Sequence, residues 1–498
     1  MQAQSKASAS LPYKNSLQTQ AKDAMNFFSR KPLMGVLLAS LLMHASLVHS
    51  QIGTAQLTEL PSSAPTSILI KEIADHAELM KNLETICDDV GPRLTGSQQL
   101  RTAQAWAMEK LNAYGAVDVH EEAYDLGRPW QRGIARAHLV NANGIALDIV
   151  QKAWTVGTNG VIRADVALLD VKTLDEFNAV APTLRGKIVL VISGPKATPE
   201  QNKNIKQYSA EVNRAIHEAH FAAVLLTSDK DNGLQNMWGS PSSRFDRNAG
   251  IITSENANLL KRLLARGITP KLEMELTGNF SKESVKAYNV VADFKGTEAA
   301  DEMVIIGAHL DSWDLGTGAT DNGTGVVVAM EILRAMHAQG LHPKRSLRVV
   351  LFSGEEQGLL GSKAYLVKHR EELAKIQAII VQDAGSGRIM GFPDMKVEAW
   401  YTALTAAIAP AKELGAQDVI YAIGNGSDHD VFFEQGIPAF TPMQDPLDYR
   451  SHTHHSQVDT VDHVVLADLM QSAQVMAITV WGLLNGERLP HQEQSEKH

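Results

Sequence analysis

From about residue 288 onward, short apolar runs alternate with longer segments in which apolar residues recur every three to four positions. Short apolar runs between turn signals predict buried strands, and the 3.6-residue period predicts amphipathic helices. Alternation of the two predicts an α/β sandwich with a mostly parallel sheet. The predicted strands are residues 303–308, 346–352, 378–382 and 437–441, and the predicted helices are residues 325–338, 363–373, 395–414 and 462–484.

The middle of the chain has a different pattern of apolar positions. Between residues 135 and 280, short apolar runs follow one another closely between turn signals. Helical periodicity is found there only near residues 209–219 and 255–266. This pattern predicts a compact, strand-rich domain that is distinct from the α/β region.

The N-terminal segment has the features of an export signal. Arg30 and Lys31 precede an apolar run over residues 33–48, and small residues follow near Ser50. A basic segment, an apolar core and a small-residue cleavage site are the parts of a secretory signal, and the run is short for a membrane span. We therefore expect residues 1–50 to be a signal region, with Met25 as an alternative start. The mature protein would be secreted or periplasmic, with no stable membrane span.

The composition excludes some classes of protein. The chain has 46 Lys and Arg residues against 56 Asp and Glu residues, a formal net charge of -10. An acidic chain without a Lys/Arg-rich stripe is not expected to bind nucleic acid. Cys87 is the single cysteine of the 498 residues, so an intrachain disulfide and a cysteine-rich zinc site are both excluded.

Imidazole and carboxylate side chains follow three of the predicted strands. His309 comes after the first strand, Glu355 and Glu356 after the second, and Asp383 after the third. In open α/β sheets, the carboxyl ends of the strands carry the ligands, so we expect these side chains to converge. Imidazole and carboxylate together suit zinc and similar divalent ions.

Asp321 and His455 complete a set of five candidate metal ligands. A hydrolytic pair of metal ions needs one bridging carboxylate and further ligands for each ion. Asp321 lies in a glycine-rich turn and is the natural bridge. His309 and Asp383 could then complete one metal site, and Glu356 and His455 the other. The pattern therefore predicts a two-metal hydrolase.

Four further residues are expected to assist the metal ligands. Glu355 is the candidate general base, since it is next to a ligand and can share the proton of the attacking water. His454 is a candidate for stabilising the tetrahedral oxyanion. Asp311, two residues after the first histidine ligand, and Asp459, four residues after the last one, could each orient the neighbouring imidazole. Each motif alone is often only a loop or a turn, and it is their joint occurrence after strands that favours a metal site.

These residues lie in motifs that resemble the co-catalytic dizinc exopeptidases of the aminopeptidase type. The similarity extends from about residue 70 to residue 485. The motifs are residues 307–314 (GAHLDSWD), 318–321 (GATD), 354–358 (GEEQG), 382–385 (QDAG) and 454–460 (HHSQVDT), with an early motif at residues 91–97.

The resemblance implies a fold, a cofactor and a substrate class. It implies a zinc-exopeptidase α/β/α sandwich formed by residues 66–135 and 283–486, interrupted by an inserted protease-associated domain at residues 136–282. It implies two zinc ions held by the five ligands in the pairing given above, with Asp321 bridging and Glu355 as the base. It also implies a cis peptide after Asp321, short peptides or dipeptides as substrates, and a homodimer.

Two alternatives to this function stay open on the sequence. The first is a single-zinc acyltransferase of the glutaminyl cyclase kind, which would retain only part of the ligand set. The second is a non-catalytic binding module on a peptidase scaffold, which should have lost ligands or the base. The sequence does not distinguish aminopeptidase, carboxypeptidase and dipeptidase activity.

Overall fold

The computed structural model describes residues 64–141, 144–171, 174–192, 215, 219–241, 247–416 and 418–493. The predicted signal region at residues 1–50 and most of the predicted helix at residues 209–219 lie outside these ranges. Within them, no helix is both long and apolar enough to cross a membrane.

The described residues form two larger sheets, two small ones and ten α-helices. The strands are β1 (Val117–Gly127), β2 (Trp130–Gln131), β3 (Ala135–Leu139), β4 (Ala146–Leu147), β5 (Ile149–Gln151), β6 (Ile162–Leu169), β7 (Ile188–Val191), β8 (Ala223–Thr227), β9 (Ala249–Ile252), β10 (Lys271–Leu276), β11 (Asn279–Phe280), β12 (Val285–Phe294), β13 (Ala299–His309), β14 (Arg345–Phe352), β15 (Ile376–Val381), β16 (Ile389–Pro393), β17 (Asp418–Ile420), β18 (Ala439–Phe440) and β19 (Met443–Gln444). The helices are α1 (Pro65–His76), α2 (Leu79–Glu84), α3 (Gln98–Ala113), α4 (Leu174–Val180), α5 (Ser254–Ala265), α6 (Thr324–Ala338), α7 (Leu360–Lys368), α8 (Glu398–Ile408), α9 (His429–Phe433) and α10 (Leu466–Asn485).

The first sheet has six strands in the order β1-β12-β14-β13-β15-β18. The four strands β14, β13, β15 and β18 are parallel, as predicted. β12 is antiparallel to both β14 and β1, so it alone runs against the other strands, and the sheet is mostly parallel, as predicted. The parallel block matters for function because its carboxyl ends share one edge of the sheet.

Helices cover both faces of this sheet. Along β13, Val304 and Ile306 belong to the large core that includes α1, α3, α6 and α10. Ile305, between them, belongs to the smaller core on the other side, with α7 and α9. Successive side chains of a strand point to opposite faces, so a strand buried on both sides reads as a continuous apolar run. The predicted sandwich of helices, sheet and helices is present.

Three of the predicted helices have different bounds in the structure. The helix predicted at residues 363–373 is Leu360–Lys368. The one predicted at residues 395–414 is Glu398–Ile408, followed by a tighter turn that contains Pro410, which lacks the N–H that an α-helix needs. The last helix begins at Leu466 rather than at residue 462, and Val465, which precedes it, is 47% exposed.

The second sheet is formed by residues 135–276, in the order β4-β3-β10-β6-β7-β8-β9-β5. Its strands β6 to β9 pair in parallel, while β10 is antiparallel to β3 and β6. Apolar residues of these strands and of α5 form a core of their own. This part of the chain is therefore rich in strands, as its apolar pattern predicts.

A buried ion pair ties the sheet edge to α7, the helix that follows the Glu355–Glu356 loop. Glu122 in β1 is 4% exposed and accepts hydrogen bonds from His369 Nε2 at 2.8 Å and from Lys368 Nζ at 2.9 Å. Burial alone would raise the pKa of Glu122, but these two partners lower it from 4.5 to about 2. The carboxylate is therefore more stable in the folded than in the unfolded protein.

We predict that Glu122→Gln lowers the free energy of unfolding by about 3 kcal/mol near pH 6, because it leaves a partly buried cation without its partner. Because the pKa of Glu122 is lower in the folded than in the unfolded protein, its ionisation stabilises the folded protein above pH ~4.5. This stabilisation is lost as the pH falls toward 2. Urea denaturation at pH 3 and at pH 6 should show the smaller difference from wild type at pH 3. Glu109→Gln, on the exposed side of α3, is the matched control, and an equal difference at both pH values would contradict the ion-pair argument.

Candidate metal centre

The first pair of predicted ligands meets at the carboxyl ends of β13 and β15. His309 is the last residue of β13, and Asp383 is the second residue after β15. The Nε2 atom of His309 lies 3.2 Å from Asp383 Oδ1 and 3.3 Å from Asp321 Oδ1. These three donor atoms could hold one metal ion.

The second pair lies on the other side of Asp321. The Nε2 atom of His455 is 3.0 Å from Glu356 Oε2 and 3.5 Å from Asp321 Oδ2. The two oxygens of the Asp321 carboxylate therefore face two different imidazole–carboxylate pairs. All five predicted ligands are brought together, and the peptide between Asp321 and Asn322 is cis, as the resemblance implies.

Asp459 holds the loop that carries Asp321. Its carboxylate accepts hydrogen bonds from the Thr320 N–H and the Thr320 hydroxyl, both at 2.7 Å, and from the Asp321 N–H at 3.2 Å. Burial and the nearby charge of Asp321 raise its pKa to about 7. Asp459 is predicted to orient the His455 ring, whereas its hydrogen bonds hold Thr320 and the backbone of Asp321, the predicted bridge.

Asp311 orients His309, although not through its side chain. The His309 Nδ1 atom lies 2.9 Å from the backbone carbonyl of Asp311, and the Asp311 carboxylate is farther away, at 3.7 Å. That carboxylate accepts a hydrogen bond from the Thr95 hydroxyl at 2.9 Å and another from the Glu355 N–H at 3.4 Å. Asp311 thus connects the first histidine ligand to the loop of the candidate base.

Arg93 is a structural element of the site that the sequence analysis did not single out. Its side chain is fully buried and donates hydrogen bonds to the backbone carbonyls of Leu310 at 2.8 Å, Thr317 at 2.7 Å and Gly318 at 2.8 Å. These carbonyls lie in the segment between His309 and Asp321. One guanidinium therefore fixes the loop that joins the first ligand to the bridging ligand, and it brings the residue 91–97 motif to the site.

The charges of the cluster show that it fits cations. Burial alone would lower the pKa of His309, but Asp383 and Asp321 outweigh it and raise that pKa well above its usual range. Glu356 and Asp321 likewise raise the pKa of His455 to about 9. Asp321 Oδ2 and Glu356 Oε1 are buried, and neither has a hydrogen-bond partner among the described residues. Crowded carboxylates of this kind attract positive charge, which metal ions would supply.

Glu355 lies close to the predicted ligands and is surrounded by other carboxylates. It lines the same cavity as Asp321, Glu356, Asp383 and His455. Burial, and after it the charges of Asp383 and Glu356, raise the pKa of Glu355 well above 4.5. A carboxyl group that holds a proton readily near neutral pH is suited to accepting and returning one.

Tyr449 and His454 form another wall of the cavity. The two rings are in edge contact, with centroids 5.1 Å apart, and His454 stacks on the ligand His455 at 3.8 Å. Burial lowers the pKa of His454 to about 4, so its ring is neutral at neutral pH. The Tyr449 ring packs on Gly385, where an added Cβ would come within 2.9 Å of it. Tyr449 was not predicted, because its position depends on that long-range packing.

The segment between β8 and β9 contacts the loop of His455. The Met237 N–H donates to the His455 carbonyl at 2.9 Å, and the Gln235 N–H donates to the Gln457 side chain at 2.8 Å. Lys230 Nζ donates to the Arg450 carbonyl at 2.7 Å. This part of the chain carries none of the predicted ligands but positions one of them.

Comparison with known proteins agrees with this geometry. Residues 289–480 match the sequence profile of peptidase family M28. Over these residues, the chain is similar to the members of peptidase family M28. Carboxypeptidase Q of Bos taurus is 27% identical over 420 residues, which cover 82% of this chain and 86% of the relative. The predicted resemblance is thus confirmed, and with it the coarse assignment to the metal-dependent exopeptidases.

Two solved structures show the same architecture. The peptidase M28 precursor from Shewanella amazonensis SB2B is 29% identical, with a TM-score of 0.74, and the match covers 86% of this chain and 98% of the other. BSAP, a zinc aminopeptidase from Bacillus subtilis, has a TM-score of 0.62 and 18% identity, with coverage of 82% and 95%. The second similarity concerns the fold alone.

We predict that Arg93→Met weakens zinc binding ~10- to 100-fold, because the loop between the first ligand and the bridge loses its anchor. The free energy of unfolding should fall by about 4 kcal/mol, since three buried carbonyls lose a charged donor. Isothermal titration with Zn²⁺ and urea denaturation measure the two effects. The control is Arg128→Met, which removes an exposed arginine. A folded Arg93→Met protein with wild-type zinc affinity would show that Arg93 does not position the ligands.

Proposed function

We propose that this protein is a dizinc exopeptidase that hydrolyses dipeptides or the terminal residues of short peptides. The observation that carries the proposal is the position of Asp321, whose two carboxylate oxygens face His309 with Asp383 on one side and His455 with Glu356 on the other. One bridging carboxylate between two imidazole–carboxylate pairs is the arrangement that a two-metal hydrolase requires.

Zinc is the metal that the donor set supports best. Each half of the site offers one imidazole and one carboxylate in addition to the shared Asp321, and these donors suit Zn²⁺. The name of the Bacillus subtilis structure, a zinc aminopeptidase, supports the same metal. When bound, two such ions would polarise the scissile carbonyl and acidify the attacking water.

The residues of the chain supply the remaining steps. Glu355 lines the cavity beside the five ligands and takes the proton of the attacking water. It then returns this proton to the leaving amine, so that the peptide bond breaks with no net change in the enzyme. Asp311 holds His309 and the Glu355 N–H through hydrogen bonds, and Asp459 holds Thr320 and the Asp321 N–H. These contacts keep the groups in position during the reaction.

Two residues are candidates for stabilising the oxyanion. The sequence motif favours His454, which is a neutral imidazole in this setting. Tyr449 also lines the cavity with the ligands, and its hydroxyl is a hydrogen-bond donor. The charges of Asp321 and Asp383 add to burial in raising the pKa of Tyr449, which keeps that proton in place. We assign the stronger role to Tyr449, since the His454 ring is stacked on a metal ligand.

Three further features belong to this proposal. We infer that residues 136–282 form a protease-associated domain inserted between the two parts of the peptidase domain, residues 66–135 and 283–486. The separate core of the second sheet supports this division. A secreted or periplasmic location, which rests on the signal region at residues 1–50, and a homodimer also remain proposals.

The adjacent glutamates provide the sharpest test of the function. We predict that Glu355→Gln retains two zinc ions per chain and loses activity by ~10²- to 10⁴-fold, because it removes the proton shuttle but no ligand. Glu356→Gln should lose at least one ion as well as activity. Metal analysis is combined with hydrolysis of a panel of dipeptides and aminoacyl anilides, and Glu371→Gln, at an exposed position, is the control.

Each failure of this experiment has a distinct meaning. One zinc ion per chain in wild type would favour the cyclase-like acyltransferase over the exopeptidase. Two ions without hydrolysis of any substrate would favour a binding module. Activity that is indifferent to Glu355 would exclude this residue as the base.

We also predict that Tyr449→Phe lowers kcat by ~10²-fold with little change in KM, because a donor to the oxyanion acts mainly in the transition state. Steady-state kinetics on one dipeptide measure both constants. Tyr421→Phe is the control, since Tyr421 is 70% exposed. Unchanged kcat in Tyr449→Phe, together with a large loss in His454→Phe, would return the role to His454.

A further inference from the structure

We propose that Arg450 binds a free α-carboxylate of the substrate, so that the enzyme selects dipeptides over peptide amides and anilides. The inference rests on the proposed function and assigns a substrate class to the same site. It is carried by the position of one arginine at the mouth of the metal cavity.

Arg450 faces the space in which the chemistry would occur. It is exposed, and it lines the cavity of about 330 Å³ that also contains Asp321, Glu355 and His455. Its guanidinium carbon lies 5.6 Å from the centroid of the Tyr449 ring. Packing on an aromatic face restricts a long side chain and leaves its N–H groups directed outward.

The charge of Arg450 is not neutralised by a neighbour. Among the described residues, Arg450 forms no ion pair and is the single arginine or lysine of the cavity wall. The acidic residues of that wall lie on the side of the metal ligands, with Asp430 in addition. A planar guanidinium with free N–H groups is the side chain best matched to a carboxylate, which it can bind through two parallel hydrogen bonds.

The backbone of Arg450 is held in place while its side chain remains available. Lys230 is 5% exposed and donates a hydrogen bond from Nζ to the Arg450 carbonyl at 2.7 Å. Lys230 belongs to the second sheet's part of the chain, which therefore fixes the position of Arg450.

The size of the site limits what lies between the carboxylate and the metal ligands. Substrate pockets commonly measure ~300–1,000 Å³, and this cavity of about 330 Å³ is at the small end. A second cavity of about 320 Å³ adjoins it, shares Tyr449 and Arg450, and is lined by Pro393, Ile423 and Met443. The second cavity suits an apolar side chain. In a cavity of this size, a substrate carboxylate bound to Arg450 lies close to the scissile bond. This spacing is that of a dipeptide, in which one residue separates the two groups.

The test compares a dipeptide of two apolar residues, its C-terminal amide and an aminoacyl p-nitroanilide. We expect the wild-type enzyme to prefer the dipeptide over its amide by ~10- to 100-fold in kcat/KM, the effect of a hydrogen-bonded charge pair. Arg450→Ala should lose this preference through a higher KM for the dipeptide and hydrolyse the amide within about threefold of wild type. Arg450→Lys should retain part of it, since a lysine keeps the charge but not the paired geometry. Arg370→Ala, at an exposed position in another part of the chain, should change nothing.

A binding measurement keeps the inference independent of turnover. The zinc-loaded Glu355→Gln protein is titrated with the dipeptide and with its amide, with and without Arg450→Ala. Equal affinity for the two ligands, or an equal loss of both on removal of Arg450, overturns the inference. Hydrolysis of amide and anilide without any carboxylate preference overturns it while the exopeptidase function stands. Absence of hydrolysis with two bound ions instead counts against the proposed function, and the affinities still decide the role of Arg450.

Discussion

The structure depends on one constraint, which is to hold the carboxylates of Asp321, Glu356 and Asp383 within hydrogen-bonding distance of two imidazoles. Buried carboxylates repel one another and lose their hydration, so each is unfavourable unless positive charge is nearby. The raised pKa values of His309 and His455 show that the cluster draws in positive charge even from its own histidines. Bound metal ions would satisfy the same requirement more completely.

The fold meets this constraint in two ways. The parallel strands β13, β14 and β15 end at one edge of the sheet and bring His309, the adjacent glutamates and Asp383 to it. Asp321 and His455 do not follow strands directly and must be held by other contacts. Arg93 and Asp459 provide these contacts for the Asp321 loop through hydrogen bonds to its backbone. Neither residue is one of the predicted ligands, but both hold the loop that carries Asp321.

The features that could be predicted from the sequence are those with a local signal. The strands of the parallel block are continuous apolar runs, because both of their faces are buried, and each ligand of the sheet follows such a run. β1 gave no such signal, since its residues Val117 to Glu122 are mostly exposed or half-buried. β1 was not predicted for this reason.

Contacts between residues distant in the chain could not be predicted. Arg93 lies 217 residues before Leu310, and no local pattern distinguishes it from an exposed arginine. The role given to Asp459 rested on its spacing from His455, whereas the structure turns its carboxylate toward Thr320. Sequence spacing identifies which residues can bind a metal ion, and tertiary packing decides which of the remaining polar residues hold them in position.

The part of the chain that forms the second sheet also contacts the candidate metal site. His455 has a φ of 62°, in the left-handed region that a side chain with a Cβ rarely adopts. Such a conformation costs of order 1 kcal/mol or more and persists only where the surroundings enforce it. The hydrogen bond from the Met237 N–H to the His455 carbonyl is one such restraint, and the edge contact of the Trp313 ring, at 5.9 Å, is another. Met237, between β8 and β9, therefore restrains the backbone of the predicted ligand His455, although this part of the chain carries none of the predicted ligands.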